Sequence, residues 1–175
     1  MRILGLFRQP DINKLMERGQ SEKIIKILSD SRHENLYDMA RSALIELGEA
    51  AVPDLIARLD HPDQRSRKIV EDILCEIGIS SVEHLLPTLK DPNWEVRLSS
   101  ARIMGKIRPK SAVKPLVNSL ADRHSQVRLM AQRSLTRYAS DIVAELTEIF
   151  DKQGDQQRIG IVNALGQIGG SLAID

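Results

Sequence analysis

The segment DPNWEVRLSSARIMGKI, residues 91–107, recurs 31 residues later as DRHSQVRLMAQRSLTRY, residues 122–138. Both segments begin with aspartate and carry Val-Arg-Leu at positions six to eight. The same frame continues outward as SRKIVEDILCEIG from residue 66 and QRIGIVNALGQIG from residue 157, and a weaker copy, LYDMARSALIELG, starts at residue 36. A fixed period of about 30 residues over most of a chain predicts a repeat architecture.

Each unit also has an upstream half, which recurs as AVPDLIARL, SVEHLLPTL and AVKPLVNSL. The two halves have short apolar patterns of helical period, so each unit is predicted to be a helix A, a turn and a helix B. The predicted fold is therefore an all-α solenoid of about five two-helix units. The units are 21–49, 50–79, 80–110, 111–140 and 141–170, with a capping helix in 1–20 and the start of a sixth unit or a tail in 171–175.

Proline and glycine indicate where several helices begin or end. Pro87 lies inside helix A of the third unit and predicts a kink or a late start there. Gly48, Gly78 and Gly169 follow the last apolar residue of their B helices, where a left-handed cap favours glycine.

Composition excludes several classes of protein. The 175 residues are 42% hydrophobic but only 3% aromatic, which favours aliphatic helix packing, and 25 basic against 24 acidic residues exclude a uniformly basic nucleic-acid binder. The single cysteine, Cys75, excludes an internal disulfide and fits a reducing compartment. The apolar run 3–7 is too short for a signal-peptide core or a membrane span. We expect a cytoplasmic protein with no membrane partner.

The repeat pattern resembles the HEAT-repeat family, in particular its PBS-lyase HEAT-like repeats. The resemblance implies a right-handed superhelix with the A helices on the convex side and the B helices on the concave side. It implies no single function, because HEAT-type arrays include scaffolds, transport receptors, bilin-handling proteins, DNA glycosylases and hydroxylases.

Each of the last four B helices carries an arginine at the same position, with an aspartate six or seven residues earlier at the turn. The arginines are Arg67, Arg97, Arg128 and Arg158, and the aspartates are Asp60, Asp91, Asp122 and Asp151. We expect each guanidinium to bond turn carboxylates or carbonyls and tie neighbouring units together. Recurrence in unlike units favours this structural role over ligand binding.

The outward positions of the B helices segregate charge along the array. They are acidic in the second unit, at Asp72 and Glu76, and basic in the next two, at Arg102, Lys106, Arg133 and Arg137. Residues 97–137 hold ten basic residues and one acidic residue. This basic stripe predicts a partner with an acidic surface or helix, although an ordinary solvated face is the alternative. Trp94 lies near one end of the stripe, either packed over its turn or exposed as an interface anchor.

The pattern gives no catalytic constellation. The four histidines, His33, His61, His84 and His124, are spread over four units and cannot converge on one metal. His33 and Glu34 lie in a turn and have no second copy, unlike the paired ligands of HEAT-type hydroxylases. We therefore expect no catalytic residues, no metal and no cofactor.

The carboxyl end has apolar residues that no further unit would cover. We expect exposed apolar surface at Leu165, Ile168, Leu172 and Ile174. A homodimer through this end and a longer parent chain are both open alternatives.

The favoured function is a non-enzymatic protein–protein interaction scaffold that holds an acidic partner segment in the concave groove. Nucleic-acid binding through the same basic stripe is the alternative, weakened by the neighbouring acids and the few aromatics. A bilin-lyase-like, cofactor-handling role is a further alternative that rests on the resemblance alone.

Overall fold

A computed structural model of the chain describes residues 10–28 and 30–172. Over this range the chain forms α-helices and short 3-10 segments, with no strand. Helix α1 (Ile12–Glu17) is followed by five pairs of helices A and B. The A helices are α2 (Ser21–Leu28), α4 (Val52–Ile56), α6 (Val82–Leu85), α8 (Val113–Ser119) and α10 (Val143–Phe150). The B helices are α3 (Tyr37–Leu47), α5 (Gln64–Ile77), α7 (Trp94–Ile107), α9 (Ser125–Thr136) and α11 (Asp155–Leu172).

The pairs stack into an all-α solenoid, in which each B helix packs against the B helices before and after it. Equivalent leucines and methionines of successive units are fully buried in the shared core. They are Leu44, Leu74, Met104 and Leu135 from the B helices and Leu55, Leu85, Leu116 and Leu146 from the A helices. Burying each such side chain contributes about 1.5–3 kcal/mol, so the same layer of contacts stabilises every unit.

Proline determines where helix A ends in the third unit. In the third unit, α6 stops at Leu85 and the chain continues from Pro87 to Lys90 as a 3-10 segment, because proline cannot continue the hydrogen-bond ladder of the helix.

At the amino end, Asp11 caps α1 by accepting a hydrogen bond from the Lys14 backbone N–H at 3.1 Å, and α1 packs against α2 and α3.

The B helices end in positive-φ residues in four units. Gly48 and Gly78 have φ of 56° and 69°, and Arg108 and Ala139 occupy the same position in the next two units with φ of 57° and 51°. The expected cap at Gly169 is wrong, because α11 continues through that residue to Leu172. The described helix therefore contains residues 171 and 172, which the sequence had placed in a sixth unit or a tail.

The apolar surface at the carboxyl end differs from the sequence expectation. Ile168 is only 1% exposed and so cannot belong to an exposed apolar surface, while Leu165 is half-buried. Ile174 and the side chain of Leu172 lie outside the described residues. The exposed apolar side chains of α11 are instead Ile159 and Val162, each 55% exposed. Among the described helices, none has the length and apolar content to span a membrane.

Candidate protein-interaction surface

Arg97 makes the most extensive contacts of the repeated arginines. Its Nε and Nη2 donate to the two carboxylate oxygens of Asp122 in the next unit, at 2.7 and 2.9 Å, and its Nη1 donates to the Asp91 carbonyl at 2.8 Å. The two side chains are only 6% and 10% exposed. One guanidinium thus joins its own turn to the following turn through a bidentate ion pair.

The other three arginines also bond the carbonyls of their own turns. Arg67 donates to the His61 carbonyl at 2.5 Å and pairs with Glu95 of the next unit at 3.0 Å. Arg128 and Arg158 donate to the carbonyls of Asp122 and Asp151 at 2.8 and 2.7 Å.

The turn aspartates divide into two groups. The carboxylates of Asp91 and Asp122 each accept the backbone N–H two residues later, at 2.8 Å, which fixes the turn. Asp60 and Asp151 are exposed. The turn carbonyls, rather than the turn carboxylates, are therefore the acceptors shared by all four arginines.

The outward side chains of three B helices form one surface, here called the B-helix face. They follow each helix at intervals of four residues, so they lie on one side of it. The B-helix face consists of Trp94, Leu98, Arg102 and Lys106 on α7, Leu129 and Arg133 on α9 with Arg137 at its carboxyl-terminal cap, and Ile159, Asn163 and Gln167 on α11. Apolar side chains occupy the amino-terminal end of this surface and basic or polar side chains the carboxyl-terminal end.

The basic residues of α7 are held by acids of α5. Arg102 Nη1 donates to both oxygens of Glu71, at 2.6 and 2.8 Å, and the Glu71 carboxylate is 2% exposed. Lys106 Nζ pairs with Asp72 at 2.8 Å, and Lys68 pairs with the same oxygen. Burial alone would raise the pKa of Asp72, but the hydrogen bonds from the two lysines outweigh burial and lower it.

The basic residues of α9 lack such partners. Arg133 and Arg137 are exposed, and neither forms an ion pair within the described residues. The reason lies on α7, where Ala101 and Arg102 occupy the positions that Glu71 and Asp72 hold on α5. The predicted stripe of four equivalent cations therefore comprises one paired half and one unpaired half.

Trp94 is the first residue of α7, and its ring stacks on His124 with a centroid distance of 3.9 Å and an interplanar angle of 12°. The ring is half-buried and lines a cavity of about 370 Å³ together with Leu98 and Arg102. Trp94 thus packs over the next turn and also forms the amino-terminal end of the B-helix face on α7.

The apolar part of the B-helix face continues beyond Trp94. Leu129 and Ile159, at the same position on successive helices, are 46% and 55% exposed. Isolated exposed apolar residues are ordinary, but a row of them beside unpaired arginines is a feature of interaction surfaces.

The described residues contain no group of three or more His, Cys, Asp or Glu side chains placed to hold a metal ion. Burial raises the pKa of the Cys75 thiol to about 11, so the thiol stays protonated and poorly nucleophilic near neutral pH.

Part of this chain matches a family of known repeat proteins. No curated protein sequence matches the chain. It is similar to an engineered protein in a crystal structure from the Northeast Structural Genomics Consortium, with 20% identity, a TM-score of 0.42 and coverage of 91% of this chain and 83% of that chain. The family model for HEAT repeats matches residues 82–166. HEAT repeats are generally protein-interaction scaffolds and typically non-enzymatic. These residues, just under half of the chain, are therefore HEAT repeats.

Proposed function

We propose that this protein is an interaction scaffold whose B-helix face binds an acidic, amphipathic segment of a partner protein. The observation that carries the proposal is the arrangement on α9, where Leu129 and Arg133 lie on the exposed side of the helix and Arg137, at its carboxyl-terminal cap, is exposed next to them in the same order.

Charge supports an acidic partner. Arg97, Arg102 and Lys106 are already paired with carboxylates, so they add little to the attraction of a ligand. Arg133 and Arg137 can donate several hydrogen bonds each, and guanidinium groups match carboxylates in a bidentate geometry. An acidic segment would therefore be held mainly over α9.

The apolar row supports a partner that is amphipathic rather than merely acidic. Leu98, Leu129 and Ile159 lie on three adjacent helices at the end of the B-helix face away from the arginines. A partner helix with acidic residues along one edge and apolar residues along the other would cover both parts at once, as in helix-in-groove recognition.

Nucleic acid is a poorer complement to this surface. Glu46 and Glu76 are exposed on the two B helices that precede α7. A duplex lying across successive B helices would bring its phosphates near these carboxylates, whereas a short peptide over α9 would not.

The test is a display selection of random helical peptides on the intact protein, followed by affinity measurements for the enriched peptides. The site variant is Leu129→Ser with Arg133→Glu. Its matched control is Ile79→Ser with Lys114→Glu, which removes an exposed apolar residue and reverses an exposed lysine away from the B-helix face.

We expect enriched peptides with Asp or Glu and apolar residues at helical spacing. Their affinity should fall at least about ten-fold in the site variant, because one charge-assisted contact and one apolar contact are lost, and it should be unchanged in the control. Peptides without acidic enrichment, or equal binding to both variants, would overturn the proposal. A duplex oligonucleotide that binds more tightly than any peptide would favour the nucleic-acid alternative instead.

A further inference from the structure

We infer that the carboxyl-terminal ends of α7 and α9 form an oxyanion-binding notch, which takes a carboxylate or phosphate group of the bound segment. The inference deepens the proposed function and rests on it for the source of the anion. The notch is the shallow cavity of about 320 Å³ lined by Gly105, Lys106, Arg108 and Arg137.

The lining of the notch is cationic. Three of its four residues carry a positive charge, and no acidic residue lines it. Gly105 contributes only backbone, so the three long side chains surround an open space. Lysine and arginine around a concave surface concentrate positive potential there and can donate to several oxygens of one anion.

Arg108 has an unusual backbone conformation for a residue with a long side chain. It has φ 57° and ψ 46°, the left-handed helical conformation, whereas Gly48 and Gly78 in the first two units combine a comparable positive φ with ψ of -128° and -134°. Arginine is disfavoured at such a φ relative to glycine. Ala139 has a similar positive φ at the equivalent position, so what distinguishes Arg108 is its side chain, whose guanidinium lines the notch.

Two features of the surroundings reduce the positive charge without cancelling it. Lys106 shares its charge with Asp72, and Asp72 is also paired with Lys68. The helix ends contribute roughly half a negative charge each, and the Arg137 carbonyl accepts a long hydrogen bond from Arg108 at 3.4 Å. Arg108 and Arg137 still have no carboxylate partner within the described part of the chain.

A competing explanation is that these cations only offset the helix dipoles. The two explanations differ in what Arg108→Gly does. If Arg108 serves the dipole alone, the glycine variant alters stability and leaves anion binding unchanged. If it belongs to the notch, the glycine variant keeps a relaxed backbone and loses the anion.

The experiment is an NMR titration of the full chain, labelled with ¹⁵N, with inorganic phosphate and separately with acetate at constant ionic strength maintained by sodium chloride. The variants are Arg108→Gly and Arg137→Gln, with Lys114→Gln as the control, since Lys114 is an exposed lysine of α8 away from the notch and from the B-helix face. The amides followed are those of residues 105–108 and 137–139.

We expect saturable shifts centred on these amides, with affinity weakened at least about ten-fold in both notch variants and unchanged in the control, because each loses a charged hydrogen-bond donor. Saturation by phosphate alone assigns the notch to phosphorylated segments, and saturation by acetate as well assigns it to carboxylates. Absence of saturable shifts, or full retention of binding by Arg108→Gly, would overturn the inference. Because the probes are simple ions, this result is independent of the peptide selection, which varies only Leu129 and Arg133 on this surface.

Discussion

The buried carboxylate of Glu71 joins α5 to α7 by accepting hydrogen bonds from Arg102 Nη1 at 2.6 and 2.8 Å. Ser99 Oγ donates to the same carboxylate at 2.6 Å. A carboxylate withdrawn from water this far is stable only with such partners. The same pair also removes Arg102 from the set of cations free to bind a ligand, so one contact affects both the stability and the charge pattern of the B-helix face.

Replacing this carboxylate should destabilise the solenoid. We expect Glu71→Gln to lower the free energy of unfolding by about 1.5–3 kcal/mol, because a buried, charge-assisted hydrogen-bond pair becomes a neutral one and Arg102 loses its counter-ion. Urea denaturation followed by circular dichroism measures the change. Glu76→Gln is the control, since the ion pair between Glu76 and Arg41 is partly exposed and surface pairs contribute about 0–1 kcal/mol. Equal effects of the two substitutions would contradict the structural role of Glu71.

The ion pair between Arg97 and Asp122 should make stability depend on pH in the acid range. Burial raises the pKa of Asp122, but the hydrogen bonds from Arg97 and from the His124 backbone N–H outweigh it, so the pKa is lower than the ordinary 3.8. The unfolded chain therefore binds the proton more readily than the folded chain. Stability from this pair is complete above the ordinary pKa and is lost as pH falls through the lowered one.

Asp122→Asn tests this dependence directly. At pH 7 we expect it to lower the free energy of unfolding by about 3 kcal/mol, since it leaves a buried guanidinium unpaired. The difference from the wild-type protein should be constant from pH 7 to about pH 5. It should shrink as pH falls below 3.8, where the unfolded chain binds a proton at Asp122, and stop changing only once the folded carboxylate is protonated as well. Asp60→Asn, at the equivalent but exposed turn position, should change stability by less than about 0.5 kcal/mol. A pH-independent difference for Asp122→Asn would refute the assigned cause.

Two glycines at the same repeat position should respond in opposite directions to alanine. A Cβ on Gly105 would lie 2.8 Å from the Cα of Ser134 on α9, whereas a Cβ on Gly166 would have no atom within 4 Å. Gly105→Ala must push α7 and α9 apart, at a cost of about 1–3 kcal/mol that exceeds the gain in helix propensity. Gly166→Ala should instead stabilise the protein by about 0.5–1 kcal/mol. Thermal unfolding of both variants gives the comparison, and a stabilised Gly105→Ala would contradict the close contact between α7 and α9.

The fold was predictable from the sequence because the same two-helix pattern recurs in every unit, so that weak signals for single helices support one another. The period located the helix pairs, and residues at equivalent positions of successive units, such as Leu74, Met104 and Leu135, are completely buried in the shared core. Solvent exposure of Arg133 and Arg137 also followed from helical spacing.

Contacts between side chains of different helices were harder to predict from the sequence. Glu71 was not identified as the partner of Arg102, because that contact depends on how closely α5 and α7 approach. Its only sequence signal is an acidic residue at the position where α7 has Ala101. At the carboxyl end, Gly169 resembled the caps at Gly48 and Gly78, yet α11 continues past it, since glycine weakens a helix without ending it.

Arg108 combines an unfavourable left-handed backbone with a side chain that lines the notch. Arg108→Gly relieves a left-handed backbone and removes only one long hydrogen bond, that from Arg108 to the Arg137 carbonyl at 3.4 Å. We expect the variant to raise the free energy of unfolding by about 1 kcal/mol, close to the penalty of that conformation for a residue with a Cβ. Ala139→Gly, at the equivalent cap of the next unit with φ 51°, should give a similar gain. Urea denaturation of the two variants measures both gains. Similar gains would mean that neither cap residue is retained for stability, which in the case of Arg108 leaves the guanidinium as the reason for its presence. A destabilised Arg108→Gly beside a stabilised Ala139→Gly would show instead that the arginine side chain supports the fold.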